Sequence, residues 1–386
     1  MSRRSMCPIG IHSELPFRSH RRYRAYAGAN SGLPVDNDSR EGPVVPKNNP
    51  GHRVEHTIVH VGPAKTATTY IQDTLYKNHQ ILADRGFLYP SYARSQIYLK
   101  PYFTQRFSDI NITRKKPDPE TYVAEAWQSL QDQLASRRPH TLILSAENLA
   151  AGSEALMRAL ERYLREISRT TTIVVTVRNP LDQAISRAQE FTKGGRISLS
   201  DLDEELTIFD YAKTLPKWQT IFGAENLKTI NIEKSRNVVD DFLHLIGFFD
   251  VDLIEYSTKK NSSMSLAGMT ISEIIRAERS TQFMFSKDLK ILRRIRGPKY
   301  FPGASALRRV SKDYDRQIKY LKNDFNLDVG ERNLEPIETE IFDEDAIRSI
   351  AEIFDDLLRV RRRRRLEAKA MKDAGEVPDI DTLPDA

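Results

Sequence analysis

The chain has 386 residues, 39% hydrophobic and 29% charged, with 59 Lys+Arg against 53 Asp+Glu and a formal charge of +6. This composition suits a globular protein of one large or two ordinary domains and excludes a collagenous or wholly disordered chain. No apolar run reaches the roughly 18 residues of a spanning helix, no signal-like segment opens the chain, and a lone Cys7 excludes an internal disulfide, a thiolate zinc cluster and a cysteine redox pair; a cytoplasmic location is expected.

The positive excess points first to a nucleic-acid or membrane-surface partner, but it is unevenly spread. Residues 1–53 hold nine Lys/Arg and four Asp/Glu, residues 359–386 hold eight and six, and the 305 residues between them sum to −1. The first 53 residues, rich in Arg, Ser, Pro, Gly and Asn, are expected to form a disordered basic arm, because so little apolar surface cannot offset the entropy of ordering. One domain is expected over residues 54–358, with an Arg-rich helix end and an acidic tail over 359–386.

Residues 57–61 read as a strand, followed by a helix carrying Ile71, Leu75 and Leu82 on one face. A second helix places Val123, Trp127, Leu130 and Leu134 at spacings of four, three and four. Residues 141–145 form a short buried strand, and Ser153 caps a helix carrying Leu156, Leu160, Leu164 and Ile167. The β-branched run 172–177 suits a strand covered on both faces, and Pro180 then opens a helix. Residues 227–232 are a fourth strand, and residues 238–246 a helix stopped by Gly247. Beyond residue 255, helices are expected over 265–295, 304–323 and 341–366. Strands alternating with helices predict an α/β fold, a mainly parallel sheet flanked by helices with a helical C-terminal part. Ligands of such sheets bind at the carboxyl ends of the strands.

After the first strand stands Gly62-Pro63-Ala64-Lys65-Thr66-Ala67-Thr68-Thr69. A turn of small residues opening a helix directs backbone N–H groups and the positive helix end at an anion, and Lys65 adds a point charge. The interval from Gly62 to Lys65 is too short for a Walker A loop. The second strand ends in Ser145-Ala146-Glu147-Asn148, without a magnesium-holding Asp. The third ends in Val177-Arg178-Asn179-Pro180, which would project Arg178 from the edge that carries Lys65, with Ser186 two turns into the next helix.

The pair P-x-K-T-x-T-T after strand one and R-x-P-x5-S after a later strand resembles the sulfotransferases that use 3′-phosphoadenosine 5′-phosphosulfate (PAPS), over roughly residues 56–265. The resemblance implies a P-loop-like α/β architecture and transfer of a sulfuryl group from PAPS, without metal, to a hydroxyl or amine of an acceptor such as a carbohydrate, lipid or small metabolite. It implies that Lys65, Thr66, Ala67, Thr68 and Thr69 hold the 5′-phosphosulfate and that Arg178 and Ser186 bind the 3′-phosphate. Lys65 would stabilise the leaving phosphate oxygen, and Glu147 is the candidate base. Ala67 stands where most relatives have glycine, which requires a negative φ at that residue. The Arg-Lys-Gly segment of the cytosolic members is missing, and Lys260 occupies a comparable late position.

Plainer readings stand beside these. Arg178 also reads as pairing with Asp182 at i+4, Ser186 as a helix-face serine, and Glu147 as orienting Lys65 or capping the next helix. His52, His56 and His60 are spaced by four, but on a strand that places neighbours about 13 Å apart, too far for one ion. The aromatic residues between Phe87 and Phe107 either wall an acceptor pocket or anchor a loop. Arg359 and the run 361–365 read as a solvated helix end or a polyanion site, and Asn111 and Asn261 match a glycosylation pattern. The alternatives to a sulfotransferase are a P-loop kinase or NTPase, and an inert fold binding nucleic acid or another polyanion through its Arg-rich ends; no specific nucleic acid is expected.

Overall fold

Five parallel strands form the centre of the protein, in the order β2-β3-β1-β4-β5. The computed structural model describes residues 53–107, 118–258, 263–279, 286–337 and 339–373. The basic arm up to His52, Asn111, Lys260, Asn261 and the acidic tail beyond Asp373 lie outside the described residues.

β1 (Val54–His60) leads through the Gly62 loop into α1 (Thr68–Lys77) and α2 (His79–Asp84). The single helix expected there is broken at Asn78, whose amide donates to the carbonyls of Thr74 at 2.7 Å and Glu255 at 2.9 Å. β2 (Phe87–Leu88) and α3 (Leu99–Thr104) follow. α4 (Pro119–Arg137) begins on Asp118, whose carboxylate accepts from the N–H groups of Glu120 and Thr121. β3 (Thr141–Ser145), buried at every position, pairs with β1, and α5 (Glu154–Ile167) starts on Ser153, as its cap signal predicts.

β4 (Ser168–Val177) is longer than expected. Its first residues, among them exposed Arg169 and Thr170, lack the apolar signature but pair with β1 at Val54 and His56. α6 (Pro180–Lys193) begins at Pro180, capped by the Asn179 side chain on the N–H groups of Leu181 and Asp182. α7 (Tyr211–Phe222) contains Pro216, which disguises it in the sequence. β5 (Leu227–Asn231) and α8 (Val238–Leu245) close the motif-bearing half. The expected helix over 265–295 resolves into α9 (Leu266–Glu278) and α10 (Ser286–Leu292). α11 (Ala304–Phe325) and α12 (Glu344–Asp373) complete the chain.

The sheet is covered on both faces, so the carboxyl-terminal halves of its interior strands β1, β3 and β4 are buried. One core joins β-strand residues to α4, α5 and α7 through Trp127, Leu130, Leu160, Tyr163 and Trp218. The other joins Ile58, Ile143 and Val174 to α1 and α8 through Ile71, Leu75, Val239 and Phe242. The aromatic segment 87–107 anchors itself to both cores: Phe87 and Tyr89 pack in the second, while in the first Tyr98 and Phe103 are buried and Tyr102 stacks on Trp127 with ring centres 3.7 Å apart. A satellite core seats α9, α10 and α12 against Ala188 of α6. Among the described residues no helix is long and apolar enough to cross a membrane.

Candidate anion-binding active site

The loop between β1 and α1 turns sharply at the carboxyl edge of the sheet. Gly62 is indispensable to that turn: a Cβ there would lie 2.0 Å from Thr176 Oγ1 and 2.8 Å from Thr68 Cγ2. Lys65 and Ala67 both adopt the left-handed conformation, with φ of 71° and 64°. The negative φ expected at Ala67 is therefore corrected. The loop needs a left-handed residue to swing successive N–H groups to one side, and this chain accepts the Cβ strain that glycine avoids. We expect Ala67→Gly to raise stability by about 1 kcal/mol, read as a higher midpoint of chemical denaturation with an unchanged slope.

Within the loop the carbonyls are claimed and the N–H groups are not. Thr66 Oγ1 donates to Pro63 O at 2.6 Å, Gln183 Nε2 to Ala64 O at 3.0 Å, and Arg178 Nη1 to Lys65 O at 3.1 Å. Among the described residues, the N–H groups of Thr66, Ala67, Thr68 and Thr69 find no acceptor, and Ala67 gives α1 no side-chain cap. Unclaimed donors at the start of a ten-residue helix, with an ammonium beside them, form a cradle matched to a phosphate or sulfate group.

Beneath the cradle lies a polar layer. His60, fully buried, contacts Ser145 Oγ through Nδ1 at 2.8 Å and Thr176 Oγ1 through Nε2 at 3.4 Å. Thr176 in turn meets Thr66 Oγ1 at 2.7 Å. Burial lowers the His60 pKa to about 3, so the ring is neutral and ties the ends of β1, β3 and β4 without adding charge. His56 spends Nε2 on Thr172 Oγ1 at 2.9 Å. Among the described residues no group of three or more His, Cys, Asp or Glu is arranged to hold a metal ion.

The predicted site residues converge on this edge with distinct partners. Thr66 is fully buried and its hydroxyl is committed to the loop, which leaves its N–H for a ligand. Thr68 donates to Glu147 Oε2 at 3.1 Å, so Glu147 stands at the mouth of the cradle rather than orienting Lys65. Lys65 instead pairs with Glu190 on α6, Nζ to Oε2 at 3.0 Å. Burial pushes the Glu190 carboxyl up, but the charge and hydrogen bond of Lys65, with Lys193 and Arg293, outweigh it and leave the pKa lowered.

Arg178 does not pair with Asp182. Its Nε lies 3.8 Å from Glu233, and Asp182 is held by Arg332, Nη2 to Oδ2 at 2.7 Å. Arg332 also reaches Glu233 at 3.4 Å, and the Arg178 N–H donates to the buried Tyr211 hydroxyl at 3.3 Å. Gln183, Ser186, Glu190 and Lys193 follow one another at helical spacings of three, four and three, so they share a face of α6. Gln183 and Glu190 both touch the loop, which places Ser186 between them on the same side.

Gln183, Glu190, Glu233 and Arg332 have no motif signal. The face-sharing of Gln183 and Glu190 with Ser186 was the only available hint.

No family model matches the sequence, and no curated protein is significantly similar to it. Among solved structures, the chain is similar to the crystal structure of a sulfotransferase from Alicyclobacillus acidocaldarius, with 18% identity over 61% of this chain and 98% of that one, at a TM-score of 0.37. Likeness at that level carries no argument about function, which rests on the geometry of the cradle.

Proposed function

We propose that the protein is a sulfotransferase that moves a sulfuryl group from PAPS to a hydroxyl or amine. The supporting observation is the direct contact between the two sequence motifs, Arg178 Nη1 on Lys65 O at 3.1 Å. It sets two cationic side chains and a row of unclaimed N–H groups around one sheet edge, an arrangement suited to a ligand with phosphate groups at two ends.

The N–H groups of residues 66–69 and Lys65 would hold the phosphosulfate end, and Arg178 with Ser186 the 3′-phosphate. Arg332, through Glu233 and Asp182, steadies the Arg178 corner. PAPS supplies an activated sulfuryl group, which leaves a phosphate oxygen and bonds to the acceptor oxygen or nitrogen. Lys65 neutralises charge growing on the departing phosphate oxygen, and Glu147 receives the acceptor's proton. The half-exposed Lys65–Glu190 pair is worth no more than about 1 kcal/mol, so an arriving anion displaces Glu190 at little cost. A cytoplasmic protein with no metal requirement fits this reading.

Titration calorimetry with the product 3′,5′-adenosine bisphosphate (PAP) tests it. Tight binding in chelator, with AMP at least about tenfold weaker for want of one charged contact, is the expected result. Equal affinity for the two nucleotides, or a need for Mg²⁺ and ATP, overturns the reading in favour of a kinase or NTPase. Incubation with PAPS and mixed acceptors, followed by mass spectrometry for an added sulfo group, identifies the substrate.

A further inference from the structure

One side of α12 is docked and another is bare. Ala346, Ser349 and Ile353 are buried against the body of the protein, where Ser349 Oγ accepts from the Arg296 N–H at 2.9 Å and Glu352 pairs with Arg296 at 2.8 Å. The helix is therefore anchored. At about 100° per residue, Ile347, Phe354 and Leu358 stand about 130° further round it, and they are 58%, 62% and 60% exposed. Large apolar side chains gathered on a fixed helix and rimmed by charge mark a surface that another molecule covers.

The spacing along that stripe restricts what the cover can be. Glu344, Ile347, Ala351, Phe354, Leu358 and Arg361 follow one another at intervals of three, four, three, four and three, which is the heptad seam of a coiled coil. The series reads the same from either end. A second α12 laid antiparallel, about a twofold axis crossing the helix between residues 352 and 353, would set Ile347 against Leu358, the small Ala351 against the large Phe354, and Glu344 against Arg361. Every one of these contacts would occur twice.

Charge selects the same arrangement. Residues 344–358 carry five acids against Arg348 alone, and residues 359–365 carry six Arg, so only an antiparallel partner lays the basic half on the acidic half. Parallel pairing would oppose Glu344 to Glu344 and Arg361 to Arg361, which repel. An anionic membrane would meet the carboxylates of Glu344 and Asp355 beside the stripe. Glu344 is held by Arg348 at 2.7 Å and Asp355 by Arg359 at 2.8 Å, while among the described residues Arg361 has no acidic partner. The Glu344–Arg348 pair is exposed and weak, so Glu344 can share its charge with an arriving Arg361.

We propose that α12 is a self-association surface, on which the α12 of a second copy packs antiparallel through Ile347, Ala351, Phe354 and Leu358, with Glu344 and Arg361 closing both ends. This pairing does not depend on the reaction performed at the cradle. It also gives Arg361, the first of the run 361–365, a partner.

Sedimentation velocity of the full chain over a concentration series provides the test. Wild type is expected to be a dimer that dissociates on dilution. Phe354→Asp, at an exposed position, should weaken the dimer at least about hundredfold by placing a carboxylate in the seam, while the denaturation midpoint of the monomer stays unchanged. Glu344→Arg and Arg361→Glu should each weaken it at least about tenfold, because both symmetry-related pairs become like-charged. Mixing those two variants restores opposite charges at both ends, so dimers should return. In a Cys7→Ser background, Ile347→Cys and Leu358→Cys chains should form a disulfide with each other on oxidation and not with themselves. Wild type that stays monomeric at about 100 μM, a dimer indifferent to Phe354→Asp, or no recovery on mixing overturns the proposal. A monomer that sediments with phosphatidylserine vesicles, and fails to do so as Arg361→Glu, also overturns it, by assigning the stripe to a membrane surface.

Discussion

Lys65→Met is expected to reduce sulfuryl transfer by about 10²–10³-fold, the cost of removing one preorganised charge from a developing anion. The substitution keeps most of the stem and loses only the ammonium. Lys65 shares its charge with Glu190, at 53% side-chain exposure for the acid, so the fold should lose no more than about 1 kcal/mol. A large fall in kcat with a small change in stability is therefore the signature. Before an acceptor is in hand, the rate is read as slow transfer of the sulfuryl group to water, which releases PAP and sulfate, and afterwards as single-turnover transfer. An unchanged rate removes Lys65 from the chemistry. Glu147→Gln should likewise slow the chemical step by about 10²-fold or more while leaving PAP affinity intact, because Glu147 touches the loop only through the Thr68 hydroxyl. If Glu190→Gln abolishes transfer and Glu147→Gln does not, the proton acceptor is the α6 carboxylate.

What the sequence could disclose about this site followed from how local each feature is. β3 matches its predicted bounds because both its faces are covered and every residue is buried, so the apolar run and the strand coincide. The first four residues of β4 are partly solvated and polar, and only pairing with β1 makes them a strand. The turn between β1 and α1 was legible because its small residues, lysine and hydroxyls are contiguous. The residues that clasp it were not. Gln183 reaches Ala64 across 119 positions and Arg332 reaches Asp182 across 150, contacts that arise only when α6 and the segment after α11 close over the sheet edge. The left-handed φ of Ala67 was hidden for a related reason: side-chain identity reports preference, and here the hydrogen-bonded loop overrides it. Glu190 reads in the sequence as one more exposed helix acid. Its importance comes from lying one helical turn past Ser186, opposite Lys65.

The second large effect should come from the smallest change, Gly62→Ala. The added methyl would sit 2.0 Å from Thr176 Oγ1 and 2.9 Å from Thr66 Oγ1, atoms that are themselves bonded to each other and buried. Neither hydroxyl can move freely. Thr66 is held by Pro63 O, and Thr176 belongs to β4 and faces His60, whose other ring nitrogen is fixed by Ser145. Relief must come from the backbone of the loop, at about 3 kcal/mol, the upper part of the range for overpacking. The same displacement would misaim the N–H groups of residues 66–69, so PAP affinity should fall at least tenfold, about 1.4 kcal/mol. Thr176→Ala removes the closest clashing atom, while Thr66 keeps its bond to Pro63 O. The double variant Gly62→Ala/Thr176→Ala should therefore recover most of the lost stability, giving a coupling of well over about 0.5 kcal/mol in a double-mutant cycle. Denaturation midpoints and PAP titrations on the four proteins decide the matter. Additive losses would mean that Gly62 is needed for something other than the space occupied by Thr176, and a Gly62→Ala protein with full PAP affinity would detach the loop from anion binding altogether.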